Sequence, residues 1–146
     1  MTDLERIMSW IKTYEGFDQF TNIYVDYTSQ MPSNGGLFPS GSNEIERKTD
    51  ILGNVTITKQ LNFALYSVMD KAAGDDTGAI INQELVADFE NWVEEQSIKG
   101  LAPIFGDRPH EERITAQNGG LYDVTDEGLA TYMIQITVTF KKVYEV

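Results

Sequence analysis

Few residues of the chain have side chains that an enzyme could use as a nucleophile or a base. There is one histidine, His110, in a segment rich in charged residues. A lone histidine cannot supply the multi-histidine sites common for zinc, and no serine stands in a nucleophile-elbow context. Ser9 and Lys12 match a Ser-x-x-Lys spacing, but the motifs that accompany it in β-lactamase-type enzymes are missing. These residues therefore predict no catalytic site.

Carboxylates are the other candidates for chemistry. Asp70, Asp75 and Asp76 could surround a calcium ion, but the EF-hand spacing with its closing glutamate is absent. Glu111 and Glu112 could form a glycosidase pair, but neighbouring strand positions point to opposite faces. A metal-dependent enzyme would need these aspartates or the histidine to converge, and chelation would then abolish its activity. We expect no enzyme, no metal and no cofactor.

Composition predicts one acidic, soluble domain. The 146 residues include 23 acidic and 11 basic ones, for a formal net charge of −12, and no cysteine. Such a balance repels phosphate backbones, so we expect no specific nucleic-acid binding. The charged start does not resemble a secretory signal, and the longest uncharged apolar-rich stretch, Gly128–Phe140, is too short to span a bilayer. We expect no membrane association.

Hydrophobic alternation predicts an antiparallel sheet. The longest alternation runs from Ala130 to Tyr144, with apolar side chains on one side and threonine, glutamine and lysine on the other. A second long strand is predicted at Val55–Val68, forming a hairpin with Glu44–Asp50 through a turn at Gly53-Asn54. Three shorter strands are predicted, one at Asn22–Thr28 and two, Arg113–Ala116 and Leu121–Val124, on either side of Asn118-Gly119, a strong hairpin signal.

Two amphipathic helices complete the predicted α+β fold. Thr2 and Glu5 form a capping box that starts the first helix, for which Gly16 is the natural stop. Trp10 lies off its apolar stripe. The second helix is predicted from about Asn82 to the C-cap at Gly100, with an apolar stripe and an acidic outer face.

An extended loop is predicted between the first strand and the central hairpin. Ser29–Asn43 is rich in proline, glycine, serine and asparagine, which are typical of turns. It also carries Met31, Leu37 and Phe38, which a merely solvated loop would not need. We predict an exposed arm whose three apolar residues contact an oligomer neighbour or another partner, and the alternative is a simple mobile loop.

One order of motifs runs from the second helix to the last strand, comprising Asp88–Gln96, Lys99–Pro103, Gly119–Leu121 and Tyr132–Ile136. It resembles the minor capsid or tail-completion proteins of tailed phages and prophages of Gram-positive bacteria. Gly53-x-x-Thr56 and the strand around Phe63 are similar to that family's central hairpin.

The resemblance implies a single α+β domain over residues 1–146, similar to tail terminators, which assemble as rings at the head-proximal end of the tail. It implies a homo-oligomeric, by analogy hexameric, structural virion protein that acts in tail termination or head–tail joining. Its partners would be other tail or connector proteins. Its location would be the tail or the head–tail junction, after assembly in the host cytoplasm. The alternative is a small-ligand-binding α+β domain with an apolar cavity between sheet and helices.

Overall fold

The computed structural model describes residues 2–14, 22–25, 34–70, 76–105, 112–124 and 128–146. Within these ranges the elements are α1 (Asp3–Ile11), β1 (Asn22–Val25), β2 (Asn34–Thr49), β3 (Val55–Asp70), α2 (Asp76–Ile98), β4 (Arg113–Val124) and β5 (Leu129–Tyr144). The strands form one sheet in the order β1-β2-β3-β5-β4. β1 runs parallel to β2, and the other neighbours are antiparallel. The predicted single α+β domain with an antiparallel sheet and two helices is confirmed.

Two of the three 16-residue strands, β3 and β5, pair near the centre of the sheet. β5 pairs with β3 along its whole length, from Val55 opposite Tyr144 to Asp70 opposite Leu129. The alternation predicted for β5 is confirmed, because its inward side chains are all buried: Tyr132, Ile134, Ile136, Val138 and Phe140. Since side chains alternate along a strand, this register places the apolar residues of both strands on the same face of the sheet.

Strand β2 corrects the predicted loop at Ser29–Asn43. From Asn34 onward the chain pairs with β3, and over Asn34–Leu37 it also pairs with β1. The turn-forming residues are accommodated by a register shift between Pro39 and Ser42. Gly41 has a φ of 113° there, a conformation that favours glycine. Residues 29–33 of the predicted loop lie outside the described residues.

Strand β4 corrects the predicted hairpin at Asn118-Gly119. Arg113–Val124 is a single strand along the edge of β5. The register shifts between Gln117 and Gly120, and Asn118 has a φ of 58°. The Asn-Gly pair therefore forms a β-bulge, which bends the strand without reversing it.

The start of α1 and the end of α2 follow the predicted capping chemistry. Glu5 donates its backbone N–H to Thr2 Oγ1 over 3.2 Å, and α1 ends at Ile11 rather than near Gly16. α2 begins at Asp76, before the predicted Asn82. After it, Gly100 (φ 73°) donates its N–H to the Ser97 carbonyl, and the Leu101 N–H bonds to the Gln96 carbonyl. These bonds form a Schellman cap.

The core lies between the two helices and one face of the sheet, where Ile7 of α1, Phe89 of α2 and Ile136 of β5 belong to one buried cluster. Trp10, predicted to lie off the stripe, is 8% exposed, and its ring centroid lies 4.6 Å from that of Trp92. Its Nε1–H donates to the Leu101 carbonyl over 3.0 Å. Trp10 therefore joins α1 both to α2 and to the segment that follows α2.

Candidate assembly surfaces

The residues predicted to contact a partner do not form one exposed arm. Leu37 is completely buried in the core, so it cannot contact another subunit, and the prediction of an exposed Leu37 is wrong. Phe38 is half-buried on the opposite face of the sheet, where its ring lies 5.1 Å from that of Tyr66 in an edge-on arrangement. Met31 lies outside the described residues.

The candidates for acid-base or metal chemistry are not brought together within the described ranges. Asp75, His110 and Glu111 lie outside them, and nothing is described of the Asp70 and Asp76 side chains. Among the side chains that are described, no group of three or more histidine, cysteine, aspartate or glutamate residues could hold a metal.

Glu112 is the candidate carboxylate that the structure does describe. It is 4% exposed, and its Oε1 accepts the backbone N–H of Phe105 over 3.3 Å. Burial of a carboxylate is costly without such a partner, so this bond fixes the segment after α2 against the start of β4. The bond between Glu112 and Phe105 therefore has a structural role.

The hairpin between β2 and β3 presents two apolar side chains at its tip. We use hairpin tip for the turn Asp50–Asn54, in which Ile51 is fully exposed and Leu52 is 76% exposed. β4 starts opposite Thr139 of β5. The β2–β3 hairpin and the β5 residues from Phe140 to Tyr144 therefore continue beyond the start of β4 by roughly 17 Å. The tip therefore projects beyond the sheet edge into solvent.

Asp50 holds the hairpin tip in one conformation. Its carboxylate accepts the backbone N–H groups of Leu52 and Asn54, each over 2.9 Å, and the Asn54 side-chain amide over 3.1 Å. Desolvation opposes ionisation of this group, but the bonds from Asn54, Leu52 and Gly53 outweigh it and lower the pKa of Asp50. The exposed aliphatic side chains are thus carried by an ordered turn.

Four basic residues surround the base of the hairpin tip. We call them the basic collar: Arg47, Lys48, Lys141 and Lys142. Arg47 of β2 and Lys142 of β5 lie opposite the same β3 residue, Ile57, so these two share one face of the sheet, and the neighbouring Lys48 and Lys141 point to the other face. Arg47 pairs with Glu44 over 2.7 Å and Lys48 with Glu46 over 3.4 Å, both on the surface. Such exposed pairs are weak, so these cations remain able to change partners.

A groove runs between α2 and the edge strand β4. Its volume is about 560 Å³, and half-buried Ala116 together with exposed Ala87 and Ile98 contributes apolar surface to it. Glu90 and Glu94 of α2 also line it, and the lining contains neither lysine nor arginine among the described residues. The groove is apolar at its floor and acidic along its helical wall.

Side chains of α2 bond to the free edge of β4 at both ends of this groove. Ile114 donates its N–H to Ser97 Oγ over 3.2 Å. At the bulge, Gln83 donates to the Gly119 carbonyl over 3.1 Å, and the Gly119 N–H donates to Glu90 over 3.4 Å. These bonds cover part of the edge, which limits pairing with another strand.

The sheet face opposite the helices, which we call the outer face, is polar and largely open. Asn62 Oδ1 accepts from Gln60 Nε2 over 2.9 Å and from the Thr137 hydroxyl over 3.2 Å. A shallow cleft of about 430 Å³ lies beside these residues. Towards one end, the Tyr66 ring packs 5.1 Å from that of Tyr122, and desolvation together with Tyr122 raises the pKa of Tyr66. The outer face can contact a polar partner.

Sequence reasoning located the turn at the hairpin tip but missed its exposed apolar pair. The signal was present, because Ile51 and Leu52 stand between Asp50 and Gly53-Asn54, where turn residues are normally polar. The groove had no comparable signal, since it exists only where α2 docks beside β4.

Neither a scan against protein-family models nor a search of the curated proteins finds a match to the chain. In the described part of the chain, neither helix is both long and apolar enough to cross a membrane.

Proposed function

We propose that the chain is a structural virion protein of a tailed phage or prophage, acting in tail termination or head–tail joining as one subunit of a homo-oligomeric ring. The first support is the resemblance of its second helix, its Lys99–Pro103 segment and its last strand to minor capsid and tail-completion proteins. A subunit of this kind works through its outer surfaces and needs no active site. Its partners are further copies of itself and other tail or connector proteins.

The observation that carries the proposal is the projecting hairpin tip. Ile51 and Leu52 are exposed on a turn that is ordered by hydrogen bonds among Asp50, Leu52, Gly53 and Asn54. Two large aliphatic side chains in water gain nothing from that order. Ordered apolar groups on a projection are typical of a contact with another protein. An assembly subunit requires such a contact.

Charge supports the same role. A net charge of −12 gives no counterion-release gain with DNA, so a ring of these subunits would let DNA pass without retaining it. The same charge opposes association of the free subunits, and salt or a tail template relieves that repulsion. We therefore expect the free chain to assemble in a concentration- and salt-dependent way, into hexamers by analogy with tail terminators.

The test is the mass of the 16.5 kDa chain in solution, measured by sedimentation across protein concentration and ionic strength. A parallel sample contains purified tails from the phage that encodes the chain, imaged by negative-stain electron microscopy. We expect ring-sized oligomers, and density at one end of the tails. A strict monomer in every condition, with no attachment to tails, would remove the proposal. A melting temperature that rises with a small ligand would then favour the ligand-binding alternative.

A further inference from the structure

The hairpin tip and the groove are complementary surfaces on the same chain. The tip offers two exposed aliphatic side chains on an ordered turn, and the groove offers apolar surface from half-buried Ala116 beside exposed Ala87 and Ile98. The tip belongs to β2 and β3, whereas the groove lies beyond β5 at the β4 edge. The two surfaces therefore share no residue, and one depression, lined by Lys141 of the collar and Ser97 of the groove, lies between them.

Their charges are complementary as well. The four collar cations lie on both faces of the sheet behind the tip, interspersed with Glu44, Glu46, Asp50 and Glu145, so this region has no acidic excess, whereas Glu90 and Glu94 line the groove. In the depression adjoining the groove, Glu95 is paired with Lys99 beside Glu94 and Ile98. In a chain of net charge −12, a region in which cations balance the carboxylates is a minority feature, and it adjoins the exposed apolar pair.

We infer that the hairpin tip of one copy inserts into the groove of a second copy, with the basic collar facing the glutamates of α2. Ile51 and Leu52 cover the apolar floor, and the collar residues exchange their weak surface pairs with Glu44 and Glu46 for the groove carboxylates. The inference deepens the proposed function and rests on it for the closure of the contact into a ring.

The contact is heterologous, because the surface that inserts differs from the surface that receives it. An open assembly keeps a free tip at one end and a free groove at the other until the last contact closes it. Salt acts on two interactions of opposite sign. The long-range repulsion between acidic subunits extends over about 10 Å at 0.1 M salt, so salt weakens it more than it weakens the desolvated pairs within the contact.

Two single variants separate the surfaces. Ile51→Asp removes the apolar tip, and Ile98→Asp removes an apolar wall of the groove. Both side chains are exposed in the subunit, 101% and 79%, so the fold is expected to tolerate either change. Ile80→Asp is the matched control, because Ile80 is 61% exposed on the same helix as Ile98 but does not line the groove. Circular dichroism and thermal melting check that all three variants remain folded.

Sedimentation velocity up to about 1 mM protein measures the association. We expect each of the first two variants to lower the association constant at least about tenfold, and the control to match the wild type. Mixed together, the two variants should form a 1:1 heterodimer and nothing larger. The intact tip of one then enters the intact groove of the other, while the remaining surfaces are both damaged.

A charge swap tests the collar. Lys141→Glu with Lys142→Glu should weaken association, and Glu94→Lys with Glu95→Lys in the partner copy should restore it. A wild type that stays monomeric up to about 1 mM would overturn the inference, as would variants that associate like the wild type. If the variants associate like the wild type and rings still form on tails, the proposed function would stand, with assembly through other surfaces. Heterodimers of the two variants without any attachment of the wild type to tails would support the inference and contradict the proposed function.

Discussion

Val86 of α2 lies directly against the backbone of Gly119 in β4. A Cβ atom built on Gly119 would be 2.4 Å from Val86 Cγ1 and 2.8 Å from Glu90 Oε1. The Gly119 carbonyl and N–H also bond to Gln83 and Glu90 of the same helix. At the bulge, a residue without a side chain thus lies against the helix. This close contact sets the distance at which α2 packs beside the edge strand.

The first prediction follows from this contact. Gly119→Ala should lower the free energy of unfolding by about 1–3 kcal/mol, because the new methyl group forces α2 or the bulge to move. Gly120→Ala is the matched control, since a Cβ there meets no atom within 4 Å. Urea denaturation followed by circular dichroism measures both. Equal stability of the two variants would show that α2 does not dock through Gly119.

The second prediction concerns the connection between the helices. Trp10→Phe should destabilise the fold by about 1–2 kcal/mol, because the Leu101 carbonyl loses its indole donor and part of the contact with Trp92 is lost. Trp92→Phe is the comparison, since it reduces the same ring contact but leaves the bond to Leu101 in place. If Trp92→Phe costs the same or more, the hydrogen bond is not what makes Trp10 important.

The parts of the fold that could be predicted from sequence are those fixed by local chemistry. Thr2 with Glu5 predicted the first helix start, and Gly100 predicted the end of the second helix. The alternation through Ile134 and Ile136 predicted the central strand and its buried face. Each of these features depends on residues that are close in sequence, within one or two helical turns or within one strand.

The parts that could not be predicted depend on pairing partners far along the chain. Asn118-Gly119 is equally compatible with a hairpin turn and with a bulge, and the pairing of both flanking segments with β5 decides between them. Leu37 stands in a segment typical of a loop, but pairing with both β1 and β3 buries it. The assembly surfaces were missed for the same reason, because the groove is made by α2 and β4 together.

The third prediction concerns the pH dependence of the hairpin tip. The pKa of Asp50 is lowered in the folded chain, so the order that its carboxylate brings is present above its ordinary value of 3.8 and is lost as the pH falls through the folded value. The amide signals of Leu52 and Asn54 in proton–nitrogen correlation spectra should therefore titrate together with a midpoint below 3.8. In Asp50→Ala this step should disappear, and both amides should exchange faster with solvent at neutral pH. A midpoint at or above the ordinary value would contradict the assigned bonds.

The fourth prediction reassigns Phe38. Because its ring packs against Tyr66 on the outer face, Phe38→Asp should destabilise the subunit itself, by about 1–3 kcal/mol, rather than act only on assembly. Thermal unfolding at a concentration at which the chain is monomeric measures this. Tyr122→Ser is the control on the same face. Tyr122 is 60% exposed, so its replacement removes less buried side-chain area than the replacement of Phe38. Unchanged stability of Phe38→Asp together with weakened association would restore Phe38 as a partner contact.

The last prediction is that the chain has negligible affinity for DNA at physiological salt. Its net charge of −12 repels the phosphates, and among the described residues the basic collar is the main group of neighbouring cations. Four cations release few counterions, so any binding at low salt should weaken with a logarithmic slope no steeper than about −4. Fluorescence anisotropy with a labelled duplex measures both quantities. Lys141→Glu with Lys142→Glu should abolish the residual low-salt binding, whereas Glu94→Lys with Glu95→Lys should increase it. Micromolar binding at physiological salt would contradict a surface past which DNA moves freely, and with it the argument from charge for a ring through which DNA passes.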